Sequence, residues 1–228
     1  MENKQQNKRA LIISYLTLRK IIGIQGITLP LVLYLGALIL FQTDIQSSIS
    51  SYYHTGMRGW FVGALFVMGF FLFSYKGYEL MDDIAGYFGC VFAVGVALFP
   101  TTPDSAASSH AQLIGNVHLV FAALFFATLI FFSLVLFPKT NKDKKIAPTK
   151  RKLQRNIVYK ACGYTMCFCI SLIVGYSFLP LLKEYNPVFW LEAIAIVAFG
   201  ISWLTKGEWI WWDVKQQGKT PPNAEFHS

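Results

Sequence analysis

The sequence predicts an all-α, polytopic transmembrane bundle of six helices, N-in and C-in. Three observations predict it. The first is composition: of 228 residues, 54% are hydrophobic and only 14% charged, against about 25% charged in soluble domains. Mean hydropathy is +0.45. The second is a set of six apolar runs, each qualifying or coming close to the roughly 20 residues a helix needs to cross the hydrocarbon. The third is the placement of Lys and Arg. Of the 20, 18 fall in alternate segments between the runs, and that asymmetry sets orientation.

The first run spans Ile21 to Phe41 and contains Pro30, tolerable where neighbouring helices satisfy the freed carbonyl. The second spans Gly59 to Tyr75 and the third Ile84 to Pro100. Both are short and reach into flanking polar residues. The fourth spans Ile114 to Phe137, the fifth Val158 to Leu182 and the sixth Val188 to Thr205. Residues 1–20 form an inner N-terminal segment, 21–205 the transmembrane domain and 206–228 an inner tail. Within the first segment, "RALIISYLTLRK" (Arg9 to Lys20) reads either as an interfacial helix or as an extension of the first span. Its basic residues precede a run too long for a signal-peptide core, and no A-x-A site follows, so no cleavable signal is expected.

The net charge of +8 does not read as nucleic-acid binding, because the basic residues lie in short segments between apolar runs. Instead, the inner loop at 138–156, with eight basic residues against Asp143, suits anionic lipid. Trp203, Trp209, Trp211 and Trp212 are expected in an aromatic belt at the inner interface. Cys90, Cys162, Cys167 and Cys169 sit inside apolar runs, without C-x-x-C spacing, and read as buried thiols. Gly59 and Gly63, like Gly86, Gly89 and Gly95, read as helix-packing positions. Asp82 and Asp83 open the third span and favour its dipole.

Chemistry concentrates on the outer side. The stretch "SISSYYHTGMRGW" supplies hydroxyls, His54 and Arg58. The second outer loop, "PTTPDSAASSHAQLIGNVH", supplies Asp104, His110 and His118. Glu192 lies about one turn inside the sixth span. Ionisable groups at such depth are costly unless they face the bundle or water, so they mark candidate function. Histidines and carboxylates together can bind zinc, which lowers the pKa of a bound water. His110 and His118 lack the i, i+4 spacing of a helical metal pair, so zinc is the lesser expectation. Alternatively, His54 acts as general base for a nearby serine.

The stretch from "SSYYHTGMRGW" through "YKGYELMDD" and "ALFPTTP" to "HLVFAALFFATLIFFSLVLF" resembles uncharacterised bacterial six-helix membrane proteins carrying a domain of unknown function. They are distantly similar to the Frag/DRAM/Sfk membrane family. The resemblance covers roughly residues 20 to 205 and implies a six-helix bundle in a bacterial inner membrane. Some relatives of the wider family are associated with lipid remodelling or lipid asymmetry.

Three function classes follow as expectations. The leading one is an outer-face pocket, lined by His54, Arg58, Asp104, His110, His118 and Glu192, that recognises a lipid head group or small polar ligand. The second is an outer-face lipid hydrolase or acyltransferase using His54, with His118, and a Ser or a metal. The third is a membrane scaffold without chemistry. A protomer of this size is also compatible with a homo-oligomer.

Overall fold

The computed structural model describes residues 2–77, 79–103, 108–139, 149–176 and 187–208, with side chains from residue 16 onward. Among the described residues there are six α-helices and no strand. They are α1 (Glu2–Phe41), α2 (Arg58–Phe73), α3 (Leu80–Leu98), α4 (Ser109–Phe131), α5 (Lys150–Tyr176) and α6 (Pro187–Lys206). A 3-10 turn, Ser50–His54, precedes α2, and a π-helical segment, Phe132–Leu136, continues α4.

α1 runs unbroken through Arg9 to Lys20, so that segment extends the first span rather than forming a separate element. Five helices are long and apolar enough to cross a membrane. This is a multi-pass membrane protein by length and composition. α2 is the exception, with 16 residues, a rise of about 24 Å.

The helices close into a ring in chain order. α1 packs on α2, α2 on α3, α3 on α4, α4 on α5, α5 on α6, and α6 returns to α1. Glycine permits two of these seams. A Cβ on Gly200 of α6 would sit 2.6 Å from the Gly23 carbonyl of α1, so only bare backbones can pass this closely. A Cβ on Gly86 of α3 would sit 2.5 Å from the Leu72 carbonyl of α2. Gly89 and Gly95 likewise lie against Leu72 and Phe121. Gly59 and Gly63 do not pack: a Cβ on either would meet nothing within 4 Å. They border an open groove of about 670 Å³ between α1 and α2.

At one end of the ring the core is aromatic. Trp203 is fully buried, with Tyr75, Phe132, Phe137 and Phe199 around it at centroid distances of 5.1 to 5.9 Å. Trp203 therefore fills the core rather than joining an interfacial belt, because it falls on the inward stripe of α6 with Ala195 and Phe199. Trp209, Trp211 and Trp212 lie outside the described residues. Ser133 and Ser202 bond each other at 2.9 Å within this core, satisfying two buried hydroxyls together. Cys162 and Cys169 are buried and Cys90 and Cys167 partly so, all with free thiols.

α3 begins with a reciprocal cap. Glu79 is the N-cap, and its backbone N–H donates to Asp82 Oδ2 at 3.0 Å. Asp83 pairs with Lys76 at 2.9 Å. α4 begins on Ser108, whose hydroxyl accepts from the Ala111 amide at 3.2 Å.

Candidate functional site: the histidine end of the bundle

At the end of the ring away from Trp203, the α1–α2 connection folds over the start of α6. Two hydrogen bonds hold it. The Phe189 amide donates to the Ser47 carbonyl at 3.1 Å. The Ile49 amide donates to Glu192 Oε2 at 2.6 Å. The Glu192 side chain thus ties the loop to α6. Tyr52 completes the seat, fully buried, with its ring 6.0 Å from that of Phe189.

The serines of this loop bond among themselves. Ser51 Oγ lies 2.9 Å from Ser47 Oγ and 2.8 Å from Ser48 Oγ. The Ser51 amide donates to Ser48 Oγ at 3.0 Å. Short hydroxyl side chains commonly close such local turns.

The two histidines hold the segment that leaves α3. His54 Nε2–H donates to the Thr101 carbonyl at 2.7 Å. His118 Nδ1–H donates to the Phe99 carbonyl at 2.6 Å. A carbonyl only accepts, so each contact fixes the proton on the named nitrogen. The rings therefore meet around Phe99–Thr101, His54 from the loop and His118 from α4. His118 is 1% exposed, and its Nε2 is buried with no hydrogen-bond partner. His54 is exposed. A Cβ on Gly115 of α4 would meet the Thr102 side chain, which shows how closely the segment crosses that helix.

Arg58 is exposed at the start of α2. Its Nη2 donates to the Tyr53 hydroxyl, and its guanidinium lies over the Tyr53 ring at 4.2 Å from the centroid. Tyr53 in turn meets the His54 ring edge to face at 5.4 Å. His110 is exposed in the first turn of α4. Asp104 lies outside the described residues.

Beneath the loop lies a slim cavity of about 40 Å³, room for about three waters at 10–15 Å³ each. Ser50 and Glu192 form its polar end, with Ile49 beside them. Its walls come from five helices and include Leu29, Leu65, Val96, Phe125 and Phe199. Of the five described residues among those expected to line a pocket, Glu192 alone lines this cavity. His54 and His118 converge beside it on a neighbouring strap of backbone. Arg58 is turned onto Tyr53 and does not line the cavity.

The apolar walls were not singled out by sequence reasoning. A signal for them exists: Phe61, Leu65, Met68 and Leu72 recur at i, i+4, i+7 and i+11, and all four are buried. Among the described residues, no group of three or more His, Cys, Asp or Glu is placed to hold a metal ion.

The Tyr52 hydroxyl is buried near the Gln46 backbone without closing a hydrogen bond of normal geometry. Burial raises its pKa above the usual 10. No family model, curated protein or solved structure matches this chain.

Proposed function

We propose that this protein recognises an amphiphile of lipid type at the histidine end of its bundle. The observation that carries the reading is the cavity. Its walls are apolar, and it ends on Ser50 and Glu192, while Arg58 is exposed at the start of α2, a few residues on from that loop. Such a site takes an apolar chain in the crevice and a polar head at the loop. A guanidinium suits phosphate or carboxylate in that head. The resemblance of the sequence to uncharacterised bacterial six-helix membrane proteins, themselves distantly similar to the Frag/DRAM/Sfk family, suits this reading.

The orientation belongs to this proposal. With α2 as a sixth span, 18 of 20 Lys and Arg fall on the side of the N-terminus. The histidine end then faces outward and both termini inward, in a bacterial inner membrane. The basic loop at 138–156, mostly outside the described residues, then meets the anionic inner leaflet.

A hydrolase or acyltransferase is the alternative. It requires His54 or His118 to activate a serine or hold a metal. In the present geometry both rings donate to backbone carbonyls, and three loop serines bond each other. These contacts favour recognition over turnover. A pure scaffold is the third reading.

Native mass spectrometry on protein released from mixed-lipid nanodiscs tests the proposal. Wild type is expected to retain one lipid, and the Arg58→Gln, Glu192→Gln double variant to lose most of it. Equal retention by both proteins contradicts the proposal. Turnover of the retained lipid would favour the enzyme.

A further inference from the structure

The chain leaving α3 is a short strap tied down by two imidazoles. Phe99 carries the acceptor for His118 and Thr101 the acceptor for His54, at 2.6 and 2.7 Å. Pro100 and Pro103 have no amide proton to add a bond of their own. The Phe99 amide reaches back to the Gly95 carbonyl at 3.0 Å. Thr102 rests on α4 at Gly115, where a Cβ would collide with its side chain.

The two ties respond differently to acid. His54 is exposed. A second proton on its ring meets solvent, and its Nε2–H goes on donating. His118 is 1% exposed, its Nδ1–H is spent on Phe99, and its Nε2 is buried with no hydrogen-bond partner. Neutral, that nitrogen is a lone pair among apolar atoms. Protonated, it is a charged donor with no protein acceptor in reach, and a buried charge without a partner costs far more than a buried neutral group.

The elements around it offer little relief. α1 from Ile21 onward, α3 from Ile84 to Leu98 and α5 from Cys162 to Tyr176 carry no Asp, Glu, Lys, Arg or His. α2 brings Arg58, which is turned onto Tyr53. The α1–α2 connection brings His54 and the exposed Asp44. α6 brings Glu192, which accepts from the Ile49 amide. α4 itself carries His110, exposed two turns earlier. The phenols and thiols at this end stay neutral below about pH 8. His54 charges in the same range as His118 and adds a like charge on the same strap.

We propose that the strap at 99–103 is an acid-released latch, in which protonation of His118 at Nε2 lifts the strap from α4 so that the imidazolium meets water. The closed strap excludes the proton and the open one admits it, so closure is favoured above about pH 6.5 and lost below it. Val96, before the strap, and Ala122, one turn on from His118, both line the slim cavity. Release therefore loosens that wall. The latch rests on the strap's own contacts and holds whatever the cavity takes.

Hydrogen exchange on the full chain in uncharged detergent, corrected for the intrinsic pH dependence of exchange, tests it. In wild type, exchange in peptides covering 99–103 should rise about tenfold or more between about pH 7 and pH 5, while peptides of α6 stay protected. His118→Asn keeps an amide donor for the Phe99 carbonyl and has nothing to protonate, so its strap should stay protected throughout. His54→Gln keeps its donor and should respond as wild type does. Asp104→Asn should do the same. Exchange that ignores pH in wild type overturns the proposal, as does an equal rise in His118→Asn. Loss of the rise in Asp104→Asn or His54→Gln moves the sensor to that residue and overturns it too. Should His118→Asn fail to fold, ring-nitrogen NMR on wild type decides. His118 must gain its second proton over the range in which the strap begins to exchange. A protonated His118 under a strap that is still protected overturns the latch.

Discussion

The two ends of this bundle are ordered by different physics. At the histidine end, polar side chains reach backbone: His54 and His118 donate to Thr101 and Phe99, and Glu192 accepts from Ile49. Each contact is short and ties down a connecting segment. At the opposite end, order comes from aromatic packing around Trp203. The first end encloses a cavity. The second is densely packed. A loop held by directed hydrogen bonds can border a binding crevice, whereas a filled aromatic core leaves no such space.

The largest expected effect lies at the packed end. Trp203→Ala should destabilise the protein by about 3–5 kcal/mol, the range for emptying a large aromatic site. Denaturant unfolding in detergent measures it. A loss below that of any histidine-end variant would break the contrast between the ends.

Next comes the carboxylate. Glu192→Ala leaves the Ile49 amide without its acceptor, a cost of about 1–3 kcal/mol. Glu192→Gln keeps one acceptor oxygen and should cost less. The difference between the two, read by the same unfolding assay, separates the hydrogen bonds from side-chain size. Equal losses would mean that the loop is held by packing alone.

Asp82→Ala removes one half of the α3 cap, worth about 1 kcal/mol. Unfolding in detergent measures it, and a loss no larger than that of Asp83→Ala would mean that the cap contributes nothing of its own.

The smallest effect concerns Tyr52. Its hydroxyl is buried without a partner, so Tyr52→Phe should be near neutral at pH 7. The folded state holds this phenolic proton more tightly than the unfolded state does. Its contribution is therefore fully present below pH 10 and is lost as pH rises past 10. Unfolding across that window should show a shallower decline in Tyr52→Phe than in wild type.

Much of the fold is legible in the sequence because apolar length and the placement of Lys and Arg are local properties. The spans from Ile84, Ile114 and Val188 each appear as a helix. The continuity of α1 is not legible: "RALIISYLTLRK" has the same composition as an interfacial helix or as an extension. Gly59 and Gly63 carry a packing motif, yet they face a groove, because spacing alone does not say which face of α2 meets α3. At the candidate site, His118 and Glu192 are legible from their depth in the spans, and His54 from the polar stretch between two apolar runs. Their partners are not, since Phe99, Thr101 and Ile49 act through main-chain atoms that no side-chain pattern records.

The central claim is that the slim cavity beneath Ser50 and Glu192 holds an apolar chain. A lipid carrying a diazirine on its acyl chain, photolysed in nanodiscs and mapped by peptide mass spectrometry, tests this directly. The account predicts labelling of cavity-wall residues such as Leu65 and Phe125, reduced by an excess of unlabelled lipid. Labelling confined to the exposed faces, at Phe70, Phe88 or Leu119, would contradict it.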